Sequence, residues 1–224
     1  MHIEYSAMEA GMLSEETVRI MLQSTPGLDA VSGKIMQAAA ILISAYRQGK
    51  KLLLCGNGGS LSDCEHIAGE LLKGFLKKRP LSDQIKKQLE KLLPDDAELM
   101  LKNLQMPLRA LTLNSHPSFT SAFANDISAD FVFAQAALAH GDPGDVLLAI
   151  STSGNAKNVI YAAKTAKLLN LKVIGLSGET GGQLAAWADL MLCMPHTDTY
   201  RIQEMHVMVY HILCRLIEEA FFPV

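Results

Sequence analysis

A histidine and a carboxylate stand four residues apart in this chain of 224 residues, and two more histidines stand near its end. His66 and Glu70 share one face of any helix that contains them, because residues four apart are neighbours on a helix surface. His206 and His211 fall in a long apolar stretch, where polar groups need partners. A carboxylate base and a histidine are what proton transfer beside a carbonyl requires, as in aldose–ketose isomerisation through an enediol. An isolated His–Glu pair on a helix is more often a surface pair without a function. The prediction of acid–base chemistry therefore depends on what the fold places around His66 and Glu70.

Two loops rich in glycine and hydroxyl groups each follow an apolar run and precede a helical pattern. They occupy residues 56–60 in LLLCGNGGSLSDCEH and residues 151–155 in VLLAISTSGNAKNVI. The free N–H groups and the dipole at the start of a helix favour an anion. One such loop alone is as often a simple turn, but two indicate a phosphorylated small molecule. Neither loop has P-loop or dinucleotide spacing, so we expect no nucleotide cofactor. The residues predicted to bind this phosphorylated ligand are Asn57, Gly58, Gly59, Ser60, Ser151, Thr152 and Ser153.

Charge and composition exclude some classes of protein. The chain has 20 basic and 23 acidic residues, a net charge of −3 and 49% hydrophobic residues. Because no basic stripe with interleaved aromatic residues is present, we expect no nucleic acid partner. The run Lys77-Lys78-Arg79 is expected to be a solvated surface cluster.

The cysteines and the N-terminal residues indicate the compartment. The four cysteines have no C-x-x-C spacing, and three lie in apolar runs, which is typical of reduced core cysteines. The first residues lack a secretory signal, and no run reaches the roughly 18 apolar residues of a membrane span. We therefore expect a cytoplasmic protein with no membrane segment. The cysteines are Cys55, Cys64, Cys193 and Cys214.

Five short apolar runs predict the strands of a parallel sheet, because helical patterns separate most of them. Their length and continuity indicate that both faces of the sheet are covered. Helical spacing predicts two N-terminal helices within residues 1–48 and a long, mostly buried final helix, which suggests a subunit interface. The whole chain, 1–224, fits one domain. The predicted strands are 51–55, 109–113, 146–150, 172–176 and 190–194, and the helices are 13–23, 28–48 and 200–222.

Residues 81–105 interrupt the alternation of strands and helices. A capping signal at Ser82 and a break at Pro94, with helical spacing on both sides, predict an inserted helical hairpin. Its leucines need cover. A lid, an oligomer contact and plain surface packing all remain open for this insertion.

Four separated motifs together resemble the sugar isomerase (SIS) domain family. They are CGNGGS, the H-x-x-x-E of His66 and Glu70, ISTSGN, and RIQEMH followed by His211. The similarity runs from about residue 28 onward, apart from the insertion, and within the family it points to isomerases of sedoheptulose 7-phosphate. It implies a three-layer αβα sandwich with a five-stranded parallel sheet. It also implies a phosphorylated sugar substrate and a homotetramer with active sites between subunits.

The resemblance also implies roles for individual residues. Glu70 matches the catalytic base and His211 the catalytic acid. Further substrate-site positions are matched by Asp63, Asn125, Asp126 and Gln203. Some members hold a zinc ion, and the matching ligands are His66, Glu70, Gln203 and His211. Gln203 and His211 are about 12 Å apart along an ideal helix, so they meet one ion only if Gln203 starts the helix and reaches inward.

Three departures from the family pattern leave the identity of the sugar open. Ala156 replaces a phosphate-binding serine, Tyr200 stands where an aspartate contacts the sugar although Asp198 is close, and the insertion is the third. The chain is therefore predicted to isomerise sedoheptulose 7-phosphate or another ketose phosphate. A non-catalytic SIS regulator that binds a protein partner is the alternative. Such regulators lack equivalents of Glu70 and His211, so the enzyme is favoured.

Overall fold

The computed structural model describes residues 15–23 and 25–222, which form helices around one sheet. The strands are β1 (Leu52–Cys55), β2 (Ala110–Thr112), β3 (Val146–Ser151), β4 (Lys172–Ser177) and β5 (Leu190–Cys193). The α-helices are α1 (Glu15–Leu22), α2 (Ser32–Arg47), α3 (Gly59–Leu72), α4 (Asp83–Leu92), α5 (Ala97–Asn103), α6 (Pro117–Phe123), α7 (Val132–His140), α8 (Lys157–Leu168) and α9 (Thr199–Phe221). Shorter helical turns lie at Leu28–Val31, Ala124–Ser128, Ala129–Phe131 and Gly182–Ala186.

The five strands run parallel in the order β2-β1-β3-β4-β5. All five predicted strands are confirmed, and every boundary falls within one residue of its prediction. The apolar runs located them well because the central strands are buried along their whole length, so no polar face interrupts the pattern.

Two apolar cores cover the two faces of the sheet. Leu52 and Leu54 of β1 point to one core, which contains residues of α1, α2, α3 and α9. Leu53 and Cys55 point to the other, which contains residues of α7 and α8. Successive strand residues face opposite sides, so each strand contributes to both cores. The predicted three-layer αβα sandwich is confirmed.

Helices precede the first strand, as predicted. Helix α1 lies within the predicted range 13–23, of which residues 13 and 14 are outside the described ranges. The predicted range 28–48 contains a short 3₁₀ turn and then α2. In the described ranges, Leu28–Arg47 is the one stretch long and apolar enough to cross a membrane, and half of its most apolar window is buried in the fold. Helix α2 is therefore a core helix of the domain.

The predicted helical hairpin is present as α4 and α5, with the break at Pro94. That this hairpin is an insertion relative to the family pattern stays a prediction. The Ser82 hydroxyl accepts a hydrogen bond from the backbone N–H of Ile85 at 3.4 Å, which confirms the capping signal. The hairpin buries little: Leu92 is 71% exposed and Leu99 is 64% exposed.

Helix α9 is buried over most of its length, as predicted, but by its own subunit. It packs against α2 and α3 and contributes many residues to the first core. Its burial therefore does not by itself require a second subunit.

The prediction for the basic run is wrong at Arg79. Lys78 is exposed, but Arg79 is 1% exposed and lies 2.8 Å from the carboxylate of Glu218, itself 1% exposed. A sequence pattern of three basic residues cannot show this, because the neutralising carboxylate is 139 residues away.

The strand order predicts a crevice at the carboxyl ends of the strands. Strand β2 lies on one side of β1 and β3 on the other, so the direction of winding changes between β1 and β3. Ligands of open α/β sheets bind outside the carboxyl ends of the strands at such a point. The two predicted phosphate loops follow these two strands.

Candidate active site

The first loop turns tightly between β1 and α3. A Cβ at Gly56 would come within 2.8 Å of the Ser60 carbonyl oxygen, and Gly58 has a φ of 53°, which other residues rarely adopt. Nothing lies within 4 Å of a Cβ placed at Gly58. Helix α3 then begins at Gly59 with no side chain capping it, and Ser60 lies buried in its first turn. The loop thus presents a helix N-terminus to open space, as an anion site requires.

The second loop is held by a close backbone contact. Gly154 has a φ of 65°, and a Cβ there would overlap the carbonyl group of Gly181. Helix α8 follows at Lys157, again with no side chain capping its start. The predicted phosphate-binding hydroxyls differ in exposure: Ser151 is buried, Thr152 is half-buried and Ser153 is exposed.

A pair of amides joins the two loops. Asn57 Nδ2 donates to Asn158 Oδ1, and Asn158 Nδ2 donates to Asn57 Oδ1, both at 2.9 Å. Asn57 is predicted to bind substrate, and here its amide links the first loop to the first turn of α8. Asn158 is missing from the predicted set, and its only sequence signal is its place just after the second loop.

A small cavity opens beside this amide pair. It has a volume of about 210 Å³ and is lined by both asparagines, Asn57 and Asn158, and by Asn114 and Thr120. A larger cavity of about 510 Å³ lies at the start of α9 beside Arg201 and contains none of the predicted site residues. We assign the site to the carboxyl ends of β1 and β3, where the two loops lie, because polar groups converge there.

The predicted acid and base meet at helix α3, which begins at the first loop. His66 and Glu70 lie on one face of α3, and His211 approaches them from α9. His66 Nε2 is 3.3 Å from Glu70 Oε1 and 3.5 Å from His211 Nε2. The fold therefore joins residues 145 positions apart into one cluster, which is partly open to solvent.

Two neighbours bond to this cluster and were not predicted. The Tyr210 hydroxyl lies 2.9 Å from His66 Nδ1. Lys73 Nζ lies 3.0 Å from Glu70 Oε2. Tyr210 directly precedes His211 on α9, and Lys73 lies three residues after Glu70, just beyond the end of α3. Nothing in their residue types marks them as functional.

The environment of His211 favours its neutral form. Its ring stacks on Phe75, with centroids 5.7 Å apart and planes at 18°. Partial burial lowers the pKa of His211, the nearby His66 lowers it further, and Glu70 opposes the shift. A neutral imidazole can both accept and donate a proton.

Asp63 joins the cluster through Tyr210. Burial raises the pKa of Asp63 to about 6, against the opposing effects of His66 and of a hydrogen bond from Tyr210. Its Oδ2 atom is buried and has no hydrogen-bond partner in the described structure. The structure therefore places this predicted residue behind His66, one turn earlier on α3.

Gln203 contacts the first loop. A Cβ on Gly59 would overlap the Gln203 amide, so this side chain lies against the start of α3. Of the four predicted zinc ligands, His66, Glu70 and His211 form the cluster above. Their nitrogen and oxygen donors are of the kind zinc takes. Within the described ranges, however, no three His, Cys, Asp or Glu side chains are arranged to hold one metal ion.

Asn125 and Asp126 lie apart from this cluster. They are exposed on the π-helical turn Ala124–Ser128, where Asn125 Nδ2 donates to Asp126 Oδ1 at 2.8 Å. Tyr200 is 58% exposed in the first turn of α9. Among the described residues, no hydrogen bond links these three side chains to His66, so their roles stay predictions.

Comparison with known proteins gives the class. Residues 23–93 and 97–178 match the SIS domain family. The chain therefore belongs to the SIS domain proteins, in agreement with its five-stranded parallel sheet.

Individual relatives narrow the class. The chain is 38% identical over 186 residues to a phosphoheptose isomerase of Rhodospirillum rubrum, covering 83% of this chain and 85% of the relative. It is 36% identical over 206 residues to that of Helicobacter hepaticus, covering 92% of each. The solved structure of the phosphoheptose isomerase of Neisseria gonorrhoeae superimposes with a TM-score of 0.71 at 32% identity, covering 89% of this chain and 93% of that one. The structure of the phosphoheptose isomerase of Francisella tularensis superimposes with a TM-score of 0.69 at 28% identity, covering 92% of this chain and 98% of that one. The chain is a member of the phosphoheptose isomerase family.

Proposed function

We propose that this chain converts sedoheptulose 7-phosphate to D-glycero-D-manno-heptose 7-phosphate by proton transfer through an enediol. The observation that carries the proposal is the cluster of His66, Glu70 and His211, two members of which lie on the helix that follows the first predicted phosphate loop. The similarity to phosphoheptose isomerases over most of the chain supports it.

The two loops supply the phosphate anchor. Ser60, Ser151, Thr152 and Ser153 offer hydroxyl donors, and the starts of α3 and α8 add backbone N–H groups and the favourable ends of two helix dipoles. The amide pair of Asn57 and Asn158 fixes the distance between the loops. A substrate held at its phosphate then presents its carbonyl end to the acid–base cluster.

Glu70 and His211 divide the proton transfers. The ketose has a hydroxyl on carbon 1 and the carbonyl on carbon 2. Glu70 removes a proton from carbon 1 while His211 protonates the carbonyl oxygen, which gives the 1,2-enediol. Glu70 then returns its proton to carbon 2, and His211 takes the proton of the carbon-1 hydroxyl, which gives the aldose and restores both groups.

Zinc binding by His66, Glu70, Gln203 and His211 remains a proposal about the same residues. The donors of His66, Glu70 and His211 suit zinc, but within the described ranges no three His, Cys, Asp or Glu side chains are arranged to hold one metal ion. Equilibrium dialysis of the purified protein with Zn²⁺, compared with a Gln203→Ala variant, measures whether the ion binds there.

The proposal includes a homotetramer in the cytoplasm with active sites between subunits. The exposed leucines of the insertion, such as Leu92 and Leu99, supply apolar surface for a contact. His66 is 46% exposed in the single subunit, so the cluster has room for a neighbour. Light scattering on the purified protein gives the mass of the assembly.

An NMR assay with sedoheptulose 7-phosphate tests the activity. The unaltered protein is expected to form the aldose, and Glu70→Gln and His211→Asn are each expected to abolish turnover while phosphosugar binding persists. Binding without turnover by the unaltered protein would instead favour a non-catalytic regulator. Turnover of a different ketose phosphate alone would assign a role to Ala156, Tyr200 and the insertion.

A further inference from the structure

Arg79 and Glu218 form an ion pair inside the fold. Arg79 lies between α3 and α4, and Glu218 lies near the end of α9. Arg79 Nε is 2.8 Å from Glu218 Oε1, and the two side chains are 0% and 1% exposed. Replacing a buried ion pair by apolar residues is often neutral or stabilising. Stability alone therefore does not account for this pair.

Glu218 binds the segment that follows α3. Its carboxylate accepts hydrogen bonds from the backbone N–H groups of three consecutive residues, Phe75, Leu76 and Lys77, at 2.8, 2.7 and 3.1 Å. Four donors, including Arg79, thus satisfy the two carboxylate oxygens. This fixes the backbone of Phe75 relative to α9.

Arg79 binds the end of α3 itself. Its Nη1 donates to the carbonyl oxygen of Leu71 at 2.6 Å, and its Nη2 donates to that of Glu70 at 2.9 Å. The last carbonyls of a helix have no partner within the helix, so these bonds satisfy them. The planar guanidinium fork holds both carbonyls and Glu218 at once.

The network therefore fixes both sides of the acid–base cluster. On one side it holds the helical turn that carries Glu70. On the other it holds Phe75, whose ring stacks on His211. His211 stands seven residues before Glu218, two turns earlier on the same helix. We propose that Arg79 and Glu218 are positioning residues that set the placement of Glu70 relative to His211.

This inference rests on the proposed isomerase function. Proton transfer depends steeply on the placement of the base and acid, and a displacement of about 1 Å can cost a factor of about a hundred in rate. The phosphate loops make no bond to Arg79 or Glu218 in the described structure. A disturbed network should therefore lower kcat and leave KM nearly unchanged.

Arg79→Lys is the main test, because it keeps the charge opposite Glu218 and removes the fork that holds the two carbonyls. We expect kcat for sedoheptulose 7-phosphate to fall about tenfold to a hundredfold, with KM changed by less than about twofold. Glu218→Gln keeps an acceptor and loses the charge, so it should show a smaller loss of the same kind. Glu218→Gln is also the replacement test if the Arg79→Lys protein does not fold.

Asp145 offers a matched control at the opposite edge of the sheet. It is also 1% exposed, accepts hydrogen bonds from the backbone N–H groups of Lys51 and Asp142, and pairs with Lys51 Nζ at 2.6 Å. Asp145→Asn should lower Tm by an amount similar to Arg79→Lys and leave kcat within about twofold. Equal loss of kcat in folded Asp145→Asn, or wild-type kcat in folded Arg79→Lys and Glu218→Gln, overturns the proposal.

A second readout separates this proposal from the proposed function. The Phe75 ring shifts the NMR signals of the stacked His211 ring protons, whatever the substrate. These signals should move in Arg79→Lys and Glu218→Gln and stay in place in Asp145→Asn. If the unaltered protein has no activity but the signals move as expected, the function is wrong and the positioning stands. Unmoved signals overturn the positioning alone.

Discussion

The hydroxyl of Tyr210 on α9 lies 2.9 Å from Nδ1 of His66 on α3. Burial raises the pKa of the Asp63 carboxyl, and the nearby Tyr210 hydroxyl opposes this rise. The direction of the hydrogen bond between Tyr210 and His66 depends on which ring nitrogen of His66 carries the proton. The other ring nitrogen of His66, Nε2, faces Glu70 and His211. The Tyr210 hydroxyl therefore helps to orient the His66 ring within the cluster.

Tyr210→Phe should disturb this arrangement while the ring remains packed edge-on against His66 and His211. We expect kcat to fall about tenfold, because His66 loses the hydrogen bond that orients its ring. The pKa of Asp63 should rise further, since the hydrogen bond that lowers it is removed. Kinetics and carbon NMR of the carboxyl measure both effects. Tyr161→Phe, with a ring stacked on the protein surface, is the control, and equal kinetics in the two variants would contradict the prediction.

The paired amides of Asn57 and Asn158 give a second prediction. Asn57→Ala or Asn158→Ala should separate the phosphate loops and raise KM about tenfold, with kcat less affected. The double variant should be little worse than either single one, because both remove the same two hydrogen bonds. Asn103→Ala, at the end of the insertion, should leave KM unchanged. Additive effects of the two site substitutions would show that the amides act separately.

The strands and the acid–base pair were predictable from sequence for different reasons. Continuous apolar runs mark buried parallel strands, so their boundaries fell within one residue. His66 and Glu70 are four apart on one helix, a relation that sequence spacing fixes directly. The approach of His211 was implied by the family resemblance alone, because no local pattern shows which helix packs on which.

The remaining site residues were missed because their roles depend on distant partners. Asn158, Tyr210 and Glu218 each bind a residue 101 to 144 positions away. Arg79 was assigned to the surface because its neighbours in sequence are charged. Burial of a charge is decided by the tertiary arrangement of its partners, which composition does not record.

Gly154 gives a prediction about stability. Its φ of 65° and its contact with the Gly181 carbonyl leave no room for a Cβ. Gly154→Ala should therefore destabilise the protein by about 2 kcal/mol or more. Gly69→Ala is the matched control, because a Cβ there meets nothing within 4 Å on α3, and it should stabilise the protein by about 0.5 to 1 kcal/mol. Urea unfolding of both variants checks the signs, and similar stabilities for the two would contradict this account of the second loop.

His206 gives a prediction about pH. It is 0% exposed, its Nε2 lies 3.4 Å from the Ser177 carbonyl oxygen, and its Nδ1 has no partner in the described structure. Burial lowers the pKa of His206 from 6.5 to about 4. The unfolded chain therefore binds a proton below pH 6.5 that the folded protein does not take up until about pH 4. Its contribution to stability is complete above pH 6.5 and is lost as the pH falls toward 4.

The size of this loss follows from the shift in pKa. Between pH 7 and pH 4 the free energy of unfolding should fall by about 3 kcal/mol more in the unaltered protein than in His206→Gln, which has no group to titrate there. Urea unfolding at several pH values measures the difference. Parallel profiles for the unaltered protein and His206→Gln would mean that the pKa of His206 is the same in the folded and unfolded protein, and would contradict the prediction.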